Sequence, residues 1–165
     1  MTDRQSQLAG QAERSDRHDR ELAQIEAVLA AMPPVRAMAV RAEAFDGSRL
    51  RLSAPLAANV NDKGCAFGGS LAGIMTLAAW GAITLRLARA GVAAEVYVAD
   101  SRIRYRAPLY ADLRAVGGPA EDADWPGFLA RLDERGRAGI AAQARIETDD
   151  GTVIAEFEGR FAAKR

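Results

Sequence analysis

The chain has 165 residues, 49% of them apolar, with 22 acidic side chains balancing 22 basic ones. That length allows one domain with a real core, the apolar share excludes a disordered chain, and the charge balance offers no field for nucleic acid or a membrane surface. A single Cys, Cys65, excludes an intrachain disulfide, and the single His, His18, lies in a polar leader. They also leave Ser-His-Asp and Cys-His mechanisms without an imidazole in a site, and zinc sites of the His-rich or CxxC kind without ligands. Chemistry must then rest on carboxylates, amides, hydroxyls and backbone N–H groups.

Residues 1–20 are rich in Gln, Ser, Asp and Arg and lack the apolar stretch of a secretory signal. They are expected to form a mobile polar leader to a domain over 21–165, and with the lone Cys they point to the cytoplasm. His18 to Met32 predicts a helix, because Leu22, Ile25, Val28, Leu29 and Met32 recur at intervals of three and four, and Pro33 and Pro34 end it. Val35 to Phe45 and Arg49 to Ala54 read as strands joined at Asp46-Gly47, with Leu50 and Leu52 facing away from Arg49 and Arg51. Ala57 to Phe67 is a loop of Asn, Asp and Gly. Gly69 to Arg89 is a long apolar helix closed by Gly91. The uncharged run from Ala66 to Leu85 is as long as a bilayer span. Its glycines, Ser70 and Thr76, and its place between strand-like segments, favour the centre of a soluble core.

Glu95 to Ala107 predicts a strand stopped by Pro108, and Tyr110 to Val116 another. Gly117 to Asp124 reads as a loop and Trp125 to Leu132 as a short helix. Arg137 to Thr148 and Thr152 to Ala162 form a closing hairpin through Asp149-Asp150-Gly151. No internal repeat or linker divides the chain. Two strands, one buried helix and four more strands give an α+β domain, an antiparallel sheet wrapped around a single central helix.

Leu52 to Trp80 reads LSAPLAANVNDKGCAFGGSLAGIMTLAAW. This stretch resembles the thioesterase-like family typified by the C-terminal domain of YiiD. The similarity continues through Asp100-Ser101-Arg102-Ile103-Arg104-Tyr105, Pro108, Trp125, Phe128, Gly136-Arg137 and Phe157-Glu158-Gly159-Arg160-Phe161. The resemblance implies a hotdog fold, a homodimer (with a tetramer left open) whose sites lie between subunits, and substrates carried on the phosphopantetheine of acyl carrier protein or coenzyme A, with no further cofactor and no metal. Some relatives are similar to malonyl-acyl carrier protein decarboxylases.

Several residues in this stretch could carry chemistry. Gly68 and Gly69 open the central helix, where unpartnered N–H groups at the positive dipole end suit a thioester oxyanion and glycines admit close approach; they could also serve packing alone. Taken alone, Asn61 reads as a turn residue bonding its own backbone, whereas the resemblance makes its amide a donor to a substrate oxygen. Asn59 reads as the turn residue of the pair. Thr76 lies seven residues past Gly69, two turns along the same face, and could act there or bond a carbonyl one turn back. Many hotdog thioesterases have a carboxylate at the position similar to Thr76 and a His where Phe67 stands, and both departures weigh against hydrolysis. Phe67, Gly68, Ser70 and Asp62 are expected to line the substrate site. Asp62 and Asp100 remain candidate bases, although Asp62 could instead pair with Lys63. Cys65 reads as a small apolar filler. Arg102, Arg104 and Arg106 alternate onto one face, either solvated or aimed at a phosphate or an acidic carrier protein. Trp80, Trp125 and Phe128 read as core.

Hydrolysis needs an activated water or a carboxylate nucleophile, whereas decarboxylation of a malonyl thioester needs only neutral donors around the developing oxyanion. The favoured reaction is therefore conversion of malonyl-acyl carrier protein, or malonyl-coenzyme A, to the acetyl thioester. Thioester hydrolysis and non-catalytic acyl binding are the alternatives.

Overall fold

The computed structural model describes the backbone of residues 2–165 and the side chains of residues 7, 8, 13 and 15–165. The elements in order are α1 (Thr2–Ala31), α2 (Pro33–Ala37), β1 (Arg41–Phe45), β2 (Leu50–Ala54), α3 (Leu56–Asn59), α4 (Gly68–Arg89), β3 (Glu95–Tyr105), β4 (Leu113–Pro119), α5 (Trp125–Arg135), β5 (Arg137–Glu147) and β6 (Val153–Lys164). The six strands form one sheet in the order β1-β2-β4-β5-β6-β3, antiparallel at every pairing. The chain leaves β2 near one edge and returns as β3 at the other, and α4 spans the distance across the inner face. This is the hotdog arrangement that the sequence suggests.

The helix can occupy that place because it is apolar on nearly every side. Ile74, Met75, Ala78, Ala79, Ala82 and Ile83 are fully buried. They meet Leu50 and Leu52 of β2, Leu113 and Ala115 of β4, and Phe157 and Phe161 of β6, all equally buried in the same core. The apolar length that would suit a membrane is thus spent inside the sheet. Gly117 marks the closest approach: a Cβ there would lie 2.6 Å from the Ala79 nitrogen and 2.9 Å from the Ala78 carbonyl carbon, in the backbone of α4. Beyond the end of α4, Gly91 takes the left-handed conformation, φ +69°, as the expected terminator.

Several boundaries differ from expectation. The helix expected from His18 begins at Thr2 and takes in the leader, whose Gln, Ala, Glu and Arg residues are good helix formers. Pro33 and Pro34 do end α1, but they then occupy the first turn of α2, where a fixed φ and a missing N–H cost nothing, so the strand expected from Val35 starts only at Arg41. The expected loop from Ala57 holds the short turn of α3. Gly117 and Gly118, read as loop, continue β4; they are glycines because α4 and the Ser48 carbonyl lie against them.

The end of α4 is tied to α1 by a bidentate pair, Arg89 Nε and Nη2 donating to Glu21 Oε1 and Oε2 at 2.5 and 2.7 Å. That bond holds the Arg89 guanidinium above its ordinary range although burial opposes it. The same guanidinium stacks 4.7 Å from the Phe45 ring centroid, linking the β1–β2 hairpin to the seam.

Since Gly117 faces backbone, which cannot swing aside, Gly117→Ala should destabilise the fold by roughly 1–3 kcal/mol, the range for overpacking a filled core. Urea denaturation of the purified variant measures this, and an unchanged midpoint would mean that the helix can retreat from the sheet.

Candidate active site at the start of the central helix

The loop from Val60 to Phe67 folds back on itself before α4 begins. Val60 bridges to Ala66, the Phe67 N–H donates to the Asn59 carbonyl at 2.7 Å, and the Asn61 N–H donates to the Cys65 carbonyl at 2.8 Å. Gly64 makes the reversal at φ +79°. Inside this turn the Asn61 Oδ1 accepts from the backbone N–H groups of Lys63 at 2.8 Å and Cys65 at 3.2 Å, while its Nδ2 donates to Cys65 Sγ at 3.2 Å. The Asn61 side chain therefore bonds its own backbone, as an Asn in a loop tends to. The same bonds fix which end of the amide is which. The oxygen is committed inward, and the NH₂ spends one hydrogen on a weak sulfur acceptor and keeps the other. Cys65 is more than a filler, since it supplies that sulfur and two backbone contacts.

The start of α4 carries no side-chain cap and no acidic residue in its first turn. The first intrahelical bond runs from the Leu71 N–H to the Phe67 carbonyl at 3.0 Å, so the N–H groups of Gly68, Gly69 and Ser70 point out of the helix at its positive end. The two glycines make room for aromatic rings as well as for a ligand. The Phe67 ring occupies the space that a Cβ on Gly69 would fill, and the Tyr105 ring lies 3.6 Å from the corresponding point on Gly68. The Tyr105 hydroxyl donates to the Gly68 carbonyl at 3.1 Å. Both rings are 55% exposed, so two wet aromatic surfaces flank an uncapped helix start.

Of the other expected site residues, Ser70 is buried in this first turn. Thr76 is half-buried two turns along, its hydroxyl donating to the Ala72 carbonyl at 2.8 Å. The structure thus puts Gly68, Gly69, Ser70 and Phe67 together and leaves Thr76 further down the same helix. Asp62 is exposed and bound at both oxygens by Lys63 Nζ, 2.8 Å each. Asp100 is not near the loop. It pairs with Arg160 on the outer face of the sheet, Nη2 to Oδ2 2.9 Å, whereas Phe157 and Phe161 point to the inner face. The arginine stripe shares that outer face. Arg102 stands opposite Glu158, Arg104 opposite Glu156, and Arg106 is bonded to the same Glu156 at 2.7 Å, so the three arginines share two glutamates on a solvated surface. Trp80 is half-buried with its Nε1 donating to the Val96 carbonyl, and Trp125 stacks on Phe128 and on Arg86, in keeping with packing roles.

Asn59 is the residue that sequence reasoning misplaced. It is buried rather than at the turn, and its Nδ2 donates to the carbonyls of Met38 and Pro55, both at 2.9 Å. Tyr105 was also missed as a site residue. Its signal was available, since it alternates with the arginines and so must face the helix.

With this geometry in view, the chain can be placed. A six-stranded antiparallel sheet around one long helix, with an uncapped helix start beside an amide-bearing loop, is a hotdog domain of the thioesterase kind. Residues 22–165 match the family described as "Putative thioesterase (yiiD_Cterm)", and the chain belongs to that family. Among solved structures it is similar to a protein of unknown function from Chlorobaculum tepidum, at 28% identity over 89% of this chain and 96% of that one, TM-score 0.83. It is also similar to a thioesterase-family protein from Shewanella oneidensis, at 27% identity over 89% and 99%, TM-score 0.79. The PaaI protein of the Escherichia coli phenylacetic acid degradation operon shares the fold at 13% identity, covering 88% and 94%, TM-score 0.65.

Gly69→Ala tests the aromatic flank. The added methyl must push the Phe67 ring aside, which an exposed side chain can accommodate, so the melting temperature should move by no more than a few degrees while KM for the acyl substrate rises several-fold. Differential scanning fluorimetry and steady-state kinetics read the two effects, and an unchanged KM would show that Phe67 does not border the substrate.

Proposed function

We propose that the chain decarboxylates a malonyl thioester, carried on acyl carrier protein or coenzyme A, to the acetyl thioester. The single observation that carries this reading is the locked Asn61 amide, which offers an N–H and no base. The bond between the carboxylate carbon and the α-carbon breaks, carbon dioxide leaves, and the electron pair passes into a thioester enolate that is then protonated at the α-carbon. The charge gathers on the thioester oxygen. Asn61 Nδ2 and the Gly69 and Ser70 N–H groups are the donors suited to it, and neutral donors do not repel the substrate's own carboxylate. The Thr76 hydroxyl, turned away from the Ala72 carbonyl, donates its one hydrogen to that carboxylate.

The positions of the two candidate bases support the choice, because Asp62 and Asp100 are each exposed and already paired. Thioester hydrolysis is the second reading, favoured by the family's description. The working unit is a homodimer able to associate further. β3 is an eleven-residue edge strand with Val98, Ser101 and Tyr105 exposed beside α4, and a second copy would cover both the open edge and the helix start. The free, buried Cys65 and the absence of any disulfide among the described residues fit a cytoplasmic setting.

Mass spectrometry of malonyl- and acyl-carrier protein after incubation separates the readings. Acetyl carrier protein supports decarboxylation, free holo-carrier supports hydrolysis, and unchanged substrate supports a binding module. Asn61→Ala should lower turnover by around a hundredfold with little change in folding. Thr76→Ala should slow it less, and Thr76→Asp should abolish it by setting two like charges together. Loss of activity in Asp62→Asn or Asp100→Asn with a mild Asn61→Ala would instead identify a carboxylate-dependent hydrolase. Light scattering at micromolar concentration should give a dimer mass, and a monomer would count against the shared site.

A further inference from the structure

We propose that Asn59 is a positioning residue that holds Asn61 at a fixed place against the start of α4. The proposal rests on the donor role assigned above to Asn61. Three contacts link Asn59 to its surroundings. Its Nδ2 ties together the carbonyls of Met38, between α2 and β1, and Pro55, at the exit of β2. Its backbone carbonyl receives the Phe67 N–H, so the residue that precedes α4 hangs from the same point. Met38 in turn lies against α4, because a Cβ on Gly73 would sit 3.5 Å from Met38 Cε and 3.6 Å from its sulfur. Asn61 follows two residues later, and the Cys65 bonds close the turn around it. Once Asn59 is fixed, little freedom remains between the Asn61 amide and the helix N–H groups.

The second observation is a cost. Asn59 is 3% exposed, and its Oδ1 is buried without any hydrogen-bond partner, the one such side-chain atom among the described residues. An orphaned acceptor forfeits stability comparable with what the two Nδ2 bonds gain, so the carboxamide adds little net stability to the fold. An apolar side chain would fill the space without that loss. A local rule broken with no stabilising return marks a place where geometry is what matters, and here the geometry is that of the neighbouring Asn61. Asn59 touches no reacting atom in this scheme; it acts through Asn61.

A double-mutant cycle on the purified full-length chain tests this, with kcat and KM measured on malonyl-coenzyme A and malonyl-carrier protein for the wild type, Asn61→Ala, Asn59→Ala and the double variant. Asn59→Ala should lower kcat about tenfold or more and leave KM within roughly twofold, and in the Asn61→Ala background it should cost less than about twofold further. Independent factors that multiply, or an Asn59→Ala enzyme with normal kcat, would overturn the positioning role while leaving Asn61 as donor. A near-normal Asn61→Ala enzyme would overturn the donor reading itself, and the positioning role with it. If Asn59→Ala does not fold, Asn59→Ser, whose hydroxyl retains one donor, is carried through the same cycle. Independently of turnover, the side-chain amide NMR signal of Asn61, assigned by its loss in Asn61→Ala, should shift in the folded Asn59 variant, and an unmoved signal would overturn the proposal.

Discussion

The structure depends on one packing constraint, the burial of an almost uncharged helix inside a curved sheet. α4 is held on the sheet side by Gly117, where strand and helix backbones come close enough to exclude a methyl group, and at Gly81, where a Cβ would press on the Leu50 side chain 2.5 Å away. Both contacts are glycine-mediated, so their strength comes from the absence of atoms. What is gained is apolar area removed from water along more than five helical turns, the dominant favourable term in any fold of this size. The proposed donors are arranged around where that helix starts, because the N–H groups of its first turn have no partner within the helix.

This placement explains why the site is made of amide groups. A helix start with no cap has outward-facing N–H groups and a positive end, and the loop before it delivers a carboxamide whose oxygen is already used. A capping carboxylate would satisfy the same N–H groups, steady the helix and remove the donors. The missing cap and the locked amide therefore point the same way, towards binding a group that is, or becomes, negatively charged.

Much of the fold was legible in the sequence. The order of elements, the central helix, the Asp46-Gly47 hairpin and the inward Leu50 and Leu52 follow from periodicity and turn chemistry, which are local. The misreadings at Gly117, Gly118 and Asn59 share a cause, which is that their physics is not local. Gly117 and Gly118 look like loop until it is known that α4 and Ser48 lie against them. Asn59 and Asn61 are two amides in one loop, and nothing within the loop says that Met38, twenty-one residues earlier, claims the first. The turn geometry then falls to the second. Alternation along β3 is enough to put Tyr105 on the helix-facing side, but its contact with Gly68 requires knowing that the last strand of the sheet order brings it to the helix start.

The outer face of the sheet carries no chemistry in this account, yet its charges have a consequence for how the edge strand is threaded. Along the β3–β6 seam, Asp100 meets Arg160, Arg102 meets Glu158 and Arg104 meets Glu156. Side chains return to the same face every second residue, so the smallest slip that keeps the apolar residues inward is two positions. Sliding β3 by two residues one way sets Asp100 against Glu158; sliding it the other way sets Arg102 against Arg160. Either error brings like charges face to face. The apolar inner face says which side of β3 is in, and the charged outer face says which of the inward-facing alignments is the right one. The segment that delivers Tyr105 to the helix start is therefore indexed by residues that never approach it.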